Sequence, residues 1–248
     1  CPRVRARTGP GLFLGSARLT ETVDLAQSSL RDLNAALHAL REGTNRRDFR
    51  VVNPRGAHAV AVGVDAPISV GIEGHVGYYC AGHNKQARIT VAGNAGTGVA
   101  ENMMSGFVHV EGDASQSAGA SAHGGMLLIE GNAAARCGIS LKGADIVVKG
   151  NVGHMSAFMA QAGTLVVFGD AGEALGDSLY EANLFVRGRV ASLGADCIEK
   201  DVRDEHLALL GSKLAEAGLA GQVDPAAFRR YGSARKLYNF HPDNALAY

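Results

Sequence analysis

The 248 residues carry 24 basic and 24 acidic side chains, so no net field steers the chain toward nucleic acid or an anionic membrane. No apolar run approaches the ~20 residues of a bilayer span and no charged-then-apolar leader opens the chain, so a soluble cytoplasmic protein is the expectation. Glycine is abundant at 33 residues while proline is scarce at 6, which argues against disorder or collagen and for many tight corners.

The first residue is Cys1 rather than Met, which leaves open whether the start is native or trimmed. Residues 1–50 are expected to hold a strand and a capping helix. The helix is read over Ser29–Arg41, with Ser29 as N-cap, Asp32 three residues later, Leu30, Leu33, Leu37 and Leu40 on one stripe, and Gly43 as the stop. Val51-Val52 with Gly56 reads as a degenerate coil, one residue out of phase with the coils after it.

From there an internal repeat takes over. Gly74, Gly93, Gly112, Gly131, Gly150, Gly169 and Gly188 are 19 residues apart at every step. Two residues before them stand Ile72, Val91, Val110, Ile129, Val148, Val167 and Val186, and four before stand aliphatics from Val70 to Leu184. Alternation of period 2 with β-branched residues describes a strand buried on one face. Seven residues after the glycine, Ala81, Ala100, Gly119, Gly138, Ala157, Gly176 and Ala195 never exceed a methyl group, so the backbone there must pass close to another surface.

A 19-residue unit is too short for a strand plus crossover helix, which needs ~30 residues, and lacks a helical period. The expected fold is all-β: a single-stranded parallel β-helix over 51–202, about seven stacked coils and about 34 Å long at ~4.8 Å per coil, with flanking N- and C-terminal helices. The residue after each corner glycine forms a further file: His75, Asn94, Asp113, Asn132, Asn151, Asp170 and Arg189. Asn and Asp suit such corners, and stacked amides add hydrogen bonds along the axis. No Asp in this file adjoins another Asp.

Open strand edges at the two ends of a solenoid need cover, and both flanks look suited to it. Residues 203–248 are read as a second helix over about Asp204–Ala217, with Leu207, Leu210 and Leu214 on one face and Gly218 as stop, followed by a tail. That tail mixes aromatic and basic residues: Phe228, Arg229, Arg230, Tyr231, Arg235, Lys236, Tyr238, Phe240 and Tyr248. It either folds back on its own rod or serves as a docking arm, since Tyr, Phe and Arg are enriched at interfaces.

Catalytic chemistry is hard to find. Cys80 and Cys137 share a column three coils apart, about 14 Å, against the roughly 7 Å that a disulfide spans. Cys197 lies in another column and no CxxC occurs, so structural zinc and iron–sulfur ligation are not expected. His75, His83, His109, His123 and His154 scatter over columns as surface residues. The run Gly93–Gly98 lacks the Lys-Ser/Thr and the helix of a phosphate loop. Ser115, Ser117 and Ser121 have no readable His–Asp partners, and Glu73, Glu111 and Glu130 read as a solvated row beside the corner. No catalytic, cofactor-binding or metal-binding residue is assigned.

The stretches "GNAGTG", "LIEGNAAARCGISLKGADIVVKGNVG" and "QAGTLVVFGDAGEALGDSLYEANLFVRGRV" resemble the GXGXG β-helix domain at the C-terminus of the glutamate synthase large subunit. The same domain occurs as a free-standing subunit of formylmethanofuran dehydrogenase and formyltransferase/hydrolase complexes. The flanks "VDLAQSSLRDLNAALHAL" and "FRRYGSARKLYNFHPDNALAY" are similar to the small stand-alone glutamate-synthase-like subunits, in particular to the β-helix subunit of N-methylglutamate synthase and its glyoxylate-operon-type relatives. The literal GXGXG string is absent; the 19-residue register carries the resemblance.

The resemblance implies a scaffold without catalytic residues. It would hold an amidotransferase-like subunit and a synthase-like subunit bearing flavin mononucleotide and an iron–sulfur cluster, in a complex making N-methylglutamate from glutamate and methylamine and releasing ammonia. The alternatives are the corresponding β-helix subunit of a formyltransferase/hydrolase or formylmethanofuran dehydrogenase-type complex, or an independent binding solenoid.

Overall fold

The computed structural model describes residues 20–40 and 48–234. The strands are β1 (Thr20–Asp24), β2 (Asp48–Val52), β3 (Ser69–Glu73), β4 (Arg88–Val91), β5 (Phe107–Val110), β6 (Met126–Ile129), β7 (Lys142–Val148), β8 (Ala162–Val167), β9 (Asn183–Val186), β10 (Cys197–Lys200) and β11 (Arg229–Ser233). Helix α1 spans Leu30–His38 and α2 spans Asp204–Glu216. One 11-stranded sheet runs β1-β2-β3-β4-β5-β6-β7-β8-β9-β11-β10. From β1 to β9 every pairing is parallel, so the chain climbs as a solenoid.

The coils from β3 to β9 follow the 19-residue register: Ile72 pairs with Val91, Val91 with Val110, and so on to Val186. Their inward aliphatics are 0–1% exposed at Val70, Ile72, Ile89, Val91, Leu165 and Leu184, and each such burial contributes about 1.5–3 kcal/mol. A second wall stacks two residues after the corner, where Val76, Ala95, Ala114, Ala133, Val152, Ala171 and Val190 form a ladder of parallel bridges.

The third wall has an unusual backbone. Three residues per coil, at alternate positions, are left-handed: Tyr79, Ala81 and His83 at φ 59, 56 and 54°, and likewise Met155, Ala157 and Met159 at 54, 58 and 52°. Such residues cost roughly 1–2 kcal/mol each unless something compensates. Here alternate N–H groups point to neighbouring coils on either side: Tyr79 N–H donates to Thr97 O ahead, and Ala81 N–H to Val60 O behind. The middle position must be small because it faces the aliphatics of the opposite wall. A Cβ on Gly119 would stand 2.5 Å from Ile146 Cδ1 and 3.3 Å from Leu127 Cδ2.

At both ends the register differs from expectation. The stack begins before residue 51, since β1 and β2 are rungs of the same sheet. Val51 pairs with Ile72, 21 residues on, so Asn53 (φ 55°) and not Gly56 stands where the later rungs have their corner glycine. In the last coil Leu175 bridges Leu193 at a spacing of 18, which puts Gly194 rather than Ala195 opposite Gly176; Gly194 N–H accordingly donates to Leu175 O.

Helix α1 closes the first end. Ser29 Oγ caps it by accepting Asp32 N–H at 3.1 Å, and Leu33 and Leu37 are buried against the first coil. Gly43 lies outside the described residues. In the second coil Gly82 O accepts Gly63 N–H from the coil before; in the first coil His38 Nε2 donates to Val62 O at 2.7 Å, and Asn34 Nδ2 donates to Ala59 O at 2.9 Å. His38 thus supplies the donor that a preceding coil would have supplied, and Asn34 adds a second tie between the helix and the first coil.

The second helix does not close the other end. It lies against the outer face of the sheet, where Leu210 and Leu214 pack on Leu128, Val147, Val166 and Phe185. Lys213 Nζ reaches the largely buried Asp145 at 2.7 Å and fastens the helix to β7. The exposed edge of β9 is covered instead by β11, antiparallel to it, with β10 antiparallel to β11 beyond.

Candidate interaction surfaces

The corner glycines stand in file, each against the one before. A Cβ on Gly93 would meet Gly74 C at 2.8 Å, and one on Gly150 would meet Gly131 O at 2.6 Å, so a side chain there displaces a whole coil. The adjoining file is a ladder of side-chain caps. Asn94 N–H donates to His75 Nδ1 at 2.9 Å, Asp113 N–H to Asn94 Oδ1 at 2.9 Å, and Asn132 N–H to Asp113 Oδ1 at 2.7 Å. Asn151 N–H donates to Asn132 Oδ1 at 2.9 Å, Asp170 N–H to Asn151 Oδ1 at 2.7 Å, and Arg189 N–H to Asp170 Oδ1 at 2.7 Å. Asn and Asp are placed here as acceptors for the next coil's backbone.

The outer sheet face changes character along the rod. Over β2–β5 it is polar and open. Of the three carboxylates expected in a solvated row, Glu73 and Glu111 are exposed and Glu130 is half-buried; Arg50 grips Glu73 through Nε at 2.5 Å and Nη2 at 2.9 Å. Glu130 accepts from His109 Nε2 at 3.1 Å and pairs with Lys149. Burial pushes the Glu130 carboxyl up, but the bonds from Lys149 and His109 outweigh it and hold the group below the usual carboxylate range. Over β6–β9 the face is apolar and covered by α2. Sequence reasoning missed this cover, although the file three residues before each glycine carries the signal: Gly71, Thr90 and His109 give way to Leu128, Val147, Val166 and Phe185.

The aromatic–basic tail divides. Phe228 is 3% exposed, edge-on to Phe168 with ring centroids 5.3 Å apart, and Tyr231 is 2% exposed. These two belong to the protein's own core rather than to a docking arm, because β11 must seal the last rung. Arg229 donates to Gly188 O at 2.7 Å, and Arg230 donates through Nε and Nη2 to Asn183 Oδ1, both at 3.3 Å. Arg235, Lys236, Tyr238, Phe240 and Tyr248 lie outside the described residues.

Burial alone pushes the thiols of Cys80 and Cys137 up to about 12, and they face the core without a partner cysteine. Among the described residues no group of three or more His, Cys, Asp or Glu is placed to hold a metal ion. Ser117 and Ser121 occupy left-handed positions of the third wall, at φ 59 and 52°.

At the β10 end two open clefts adjoin. The larger, about 450 Å³, is lined by Ile198, Glu199, Lys200, Asp201, Arg203 and Arg230. The smaller, about 270 Å³, shares Lys200 and Arg230 with it and adds Tyr180, Glu181 and Gly232.

No protein-family model matches the chain. Protein GlxC of Rhizobium meliloti (strain 1021) is 70% identical over 226 residues, covering 91% of this chain and 99% of that protein. The chain belongs to the GlxC family. Identity at this level over nearly the whole length leaves no room for a different core, so the corner file and its ladder are features to look for in the GlxC protein of Rhizobium meliloti. In this GlxC-family chain no described helix is long and apolar enough to cross a membrane.

Proposed function

We propose that the protein is a non-catalytic structural subunit of a multi-subunit glutamate-synthase-like enzyme. The reaction is the N-methylglutamate synthase reaction, in which glutamate and methylamine give N-methylglutamate and ammonia. The rod holds an amidotransferase-like partner and a synthase-like partner, and the flavin mononucleotide and iron–sulfur cluster belong to the latter. The observation that carries this reading is the unbroken coil register from β3 to β9, in the stretches that resemble the glutamate synthase GXGXG domain. Every coil is tied to its neighbours along the sheet, the bridge ladder and the left-handed wall, which makes a stiff spacer. Stiffness has a purpose where separate sites must stay aligned, because misplacement by about 1 Å costs about a hundredfold in rate. Cover of the first end by α1, and the antiparallel β11 and β10 that break the coil register beyond β9, argue against coil-on-coil self-assembly.

Purification of the full chain with its native partners tests the reading. A yellow complex that forms N-methylglutamate from glutamate and methylamine supports it. A colourless complex that transfers formyl groups supports the formyl-transfer alternative, and a lone monomer overturns both.

A further inference from the structure

Two core files end uncovered at the last coil. The inward file through Cys137, Ser156 and Leu175 is 0–1% exposed, and Leu175 bridges Leu193, which ends the file at 36% exposed. The bridge ladder from Val76 to Ala171 is 3–5% exposed and ends at Val190, which is half-buried. One coil earlier Ala171 N–H donates to Arg189 O, whereas the Val190 N–H meets no following coil and has no acceptor among the described residues. β11 covers β9 alone, so the rim of the other two walls lies open, while at the first end Leu33 and Leu37 of α1 pack on the core.

The described chain leads to that rim. Past the pair of Ser233 with Cys197, Ala234 N–H donates to Asp196 O at 2.7 Å, so the antiparallel register continues off the end of β11. Carried on residue for residue, it brings Arg235 level with Ala195, Leu237 with Leu193 and Phe240 with Val190. The stretch from Arg235 to Phe240 extends to about 20 Å and has as many residues as the rim it follows. Asp177 Oδ2 accepts Ala195 N–H at 3.2 Å, and this carboxylate has no cation among the described residues, which suits the arrival of Arg235.

From this we infer that residues 235–240 of this chain cap the last coil: Leu237 covers Leu193, Phe240 covers Val190, and a backbone oxygen of the segment accepts the Val190 N–H. The cap does for the second end what α1 does for the first, and leaves no open coil for a second copy to extend. It forms in the free chain, whether or not the chain belongs to a complex.

Two measurements on the full chain test the cap. In Leu193→Cys/Leu237→Cys, oxidation at low protein concentration is expected to join the two new thiols within one chain, as mapped by mass spectrometry. In the wild-type chain, amide exchange at residues 190–195 is expected to be about tenfold or more slower than in Leu237→Asp/Phe240→Asp, with β3–β7 equally protected in both. Should the acidic pair loosen β3–β7 as well, the cysteine pair decides alone. A missing disulfide, or one formed only between two chains, overturns the inference. So does equal exchange at 190–195 in an acidic variant that keeps β3–β7 protected, or protection there that arises only when a partner is added.

Discussion

Asn132 Oδ1 accepts the backbone N–H of Asn151, one coil further along the rod, at 2.9 Å, while Asn132 itself donates to Asp113 through N–H and through Nδ2. Replacing Asn132 by Asp keeps the acceptor, removes the Nδ2 donor and sets two carboxylates on adjacent coils. Asn132→Asp is expected to lower the melting temperature by about 2–4 °C, and adding Asp113→Asn to recover most of it. An unchanged melting temperature would deny the ladder any energetic role.

Two glycines should respond in opposite directions. Gly150→Ala drives a methyl group to 2.6 Å from Gly131 O and is expected to destabilise by about 1–3 kcal/mol. Gly211→Ala, inside α2 with nothing within 4 Å, should stabilise by up to about 1 kcal/mol, as alanine is the better helix former. Thermal melts of the pair separate crowding from backbone propensity.

The Lys213–Asp145 bond gives α2 a pH-dependent hold. The hydrogen bond to Asp145 raises the Lys213 ammonium above its usual value. Its contribution is therefore complete below the unfolded lysine value of about 10.4 and fades as pH rises through the folded value. Lys213→Met should be less stable than wild type at pH 9, by about 1–3 kcal/mol for the carboxylate left without its cation, and the gap should narrow as pH rises beyond the usual lysine range. A gap independent of pH would mean that the stem, not the charge, does the fastening.

Truncation separates the sealing strand from the remainder of the tail. Ending the chain after residue 226 removes Phe228 and Tyr231 from the core and uncovers β9, so the product should bind hydrophobic dyes and aggregate. Ending it after Ala234 removes Arg235, Lys236, Tyr238, Phe240 and Tyr248 yet keeps β11. Partner recovery from that shorter cut, compared with the full chain below both melting temperatures, reports on the docking role of those residues.

The core of the stack was legible because each coil repeats the same requirements: a corner glycine against the previous glycine, β-branched inward residues, and a position that holds no more than a methyl. The first rung was obscured because its 21-residue coil shifts Val51 by two places and gives the corner to Asn53. Phe228 and Tyr231 looked like interface aromatics because a sealing strand and a docking segment share a composition; only pairing with β9 distinguishes them. The alternate left-handed wall left no mark in residue type, since Tyr79, Arg136 and Met155 adopt φ of 59, 60 and 54° under hydrogen bonds from neighbouring coils. The two clefts at β10 were hidden because Lys200 and Arg230, which line both, are thirty residues apart in sequence and meet only across an antiparallel pair.

Reconstitution with and without this chain reaches the scaffold reading most directly. The amidotransferase-like and synthase-like partners would be assayed for N-methylglutamate formation, with the flavin spectrum followed in parallel. The account predicts that omitting the rod lowers coupled turnover by about a hundredfold while the flavin spectrum stays as it was. Full turnover from the partners alone would contradict it.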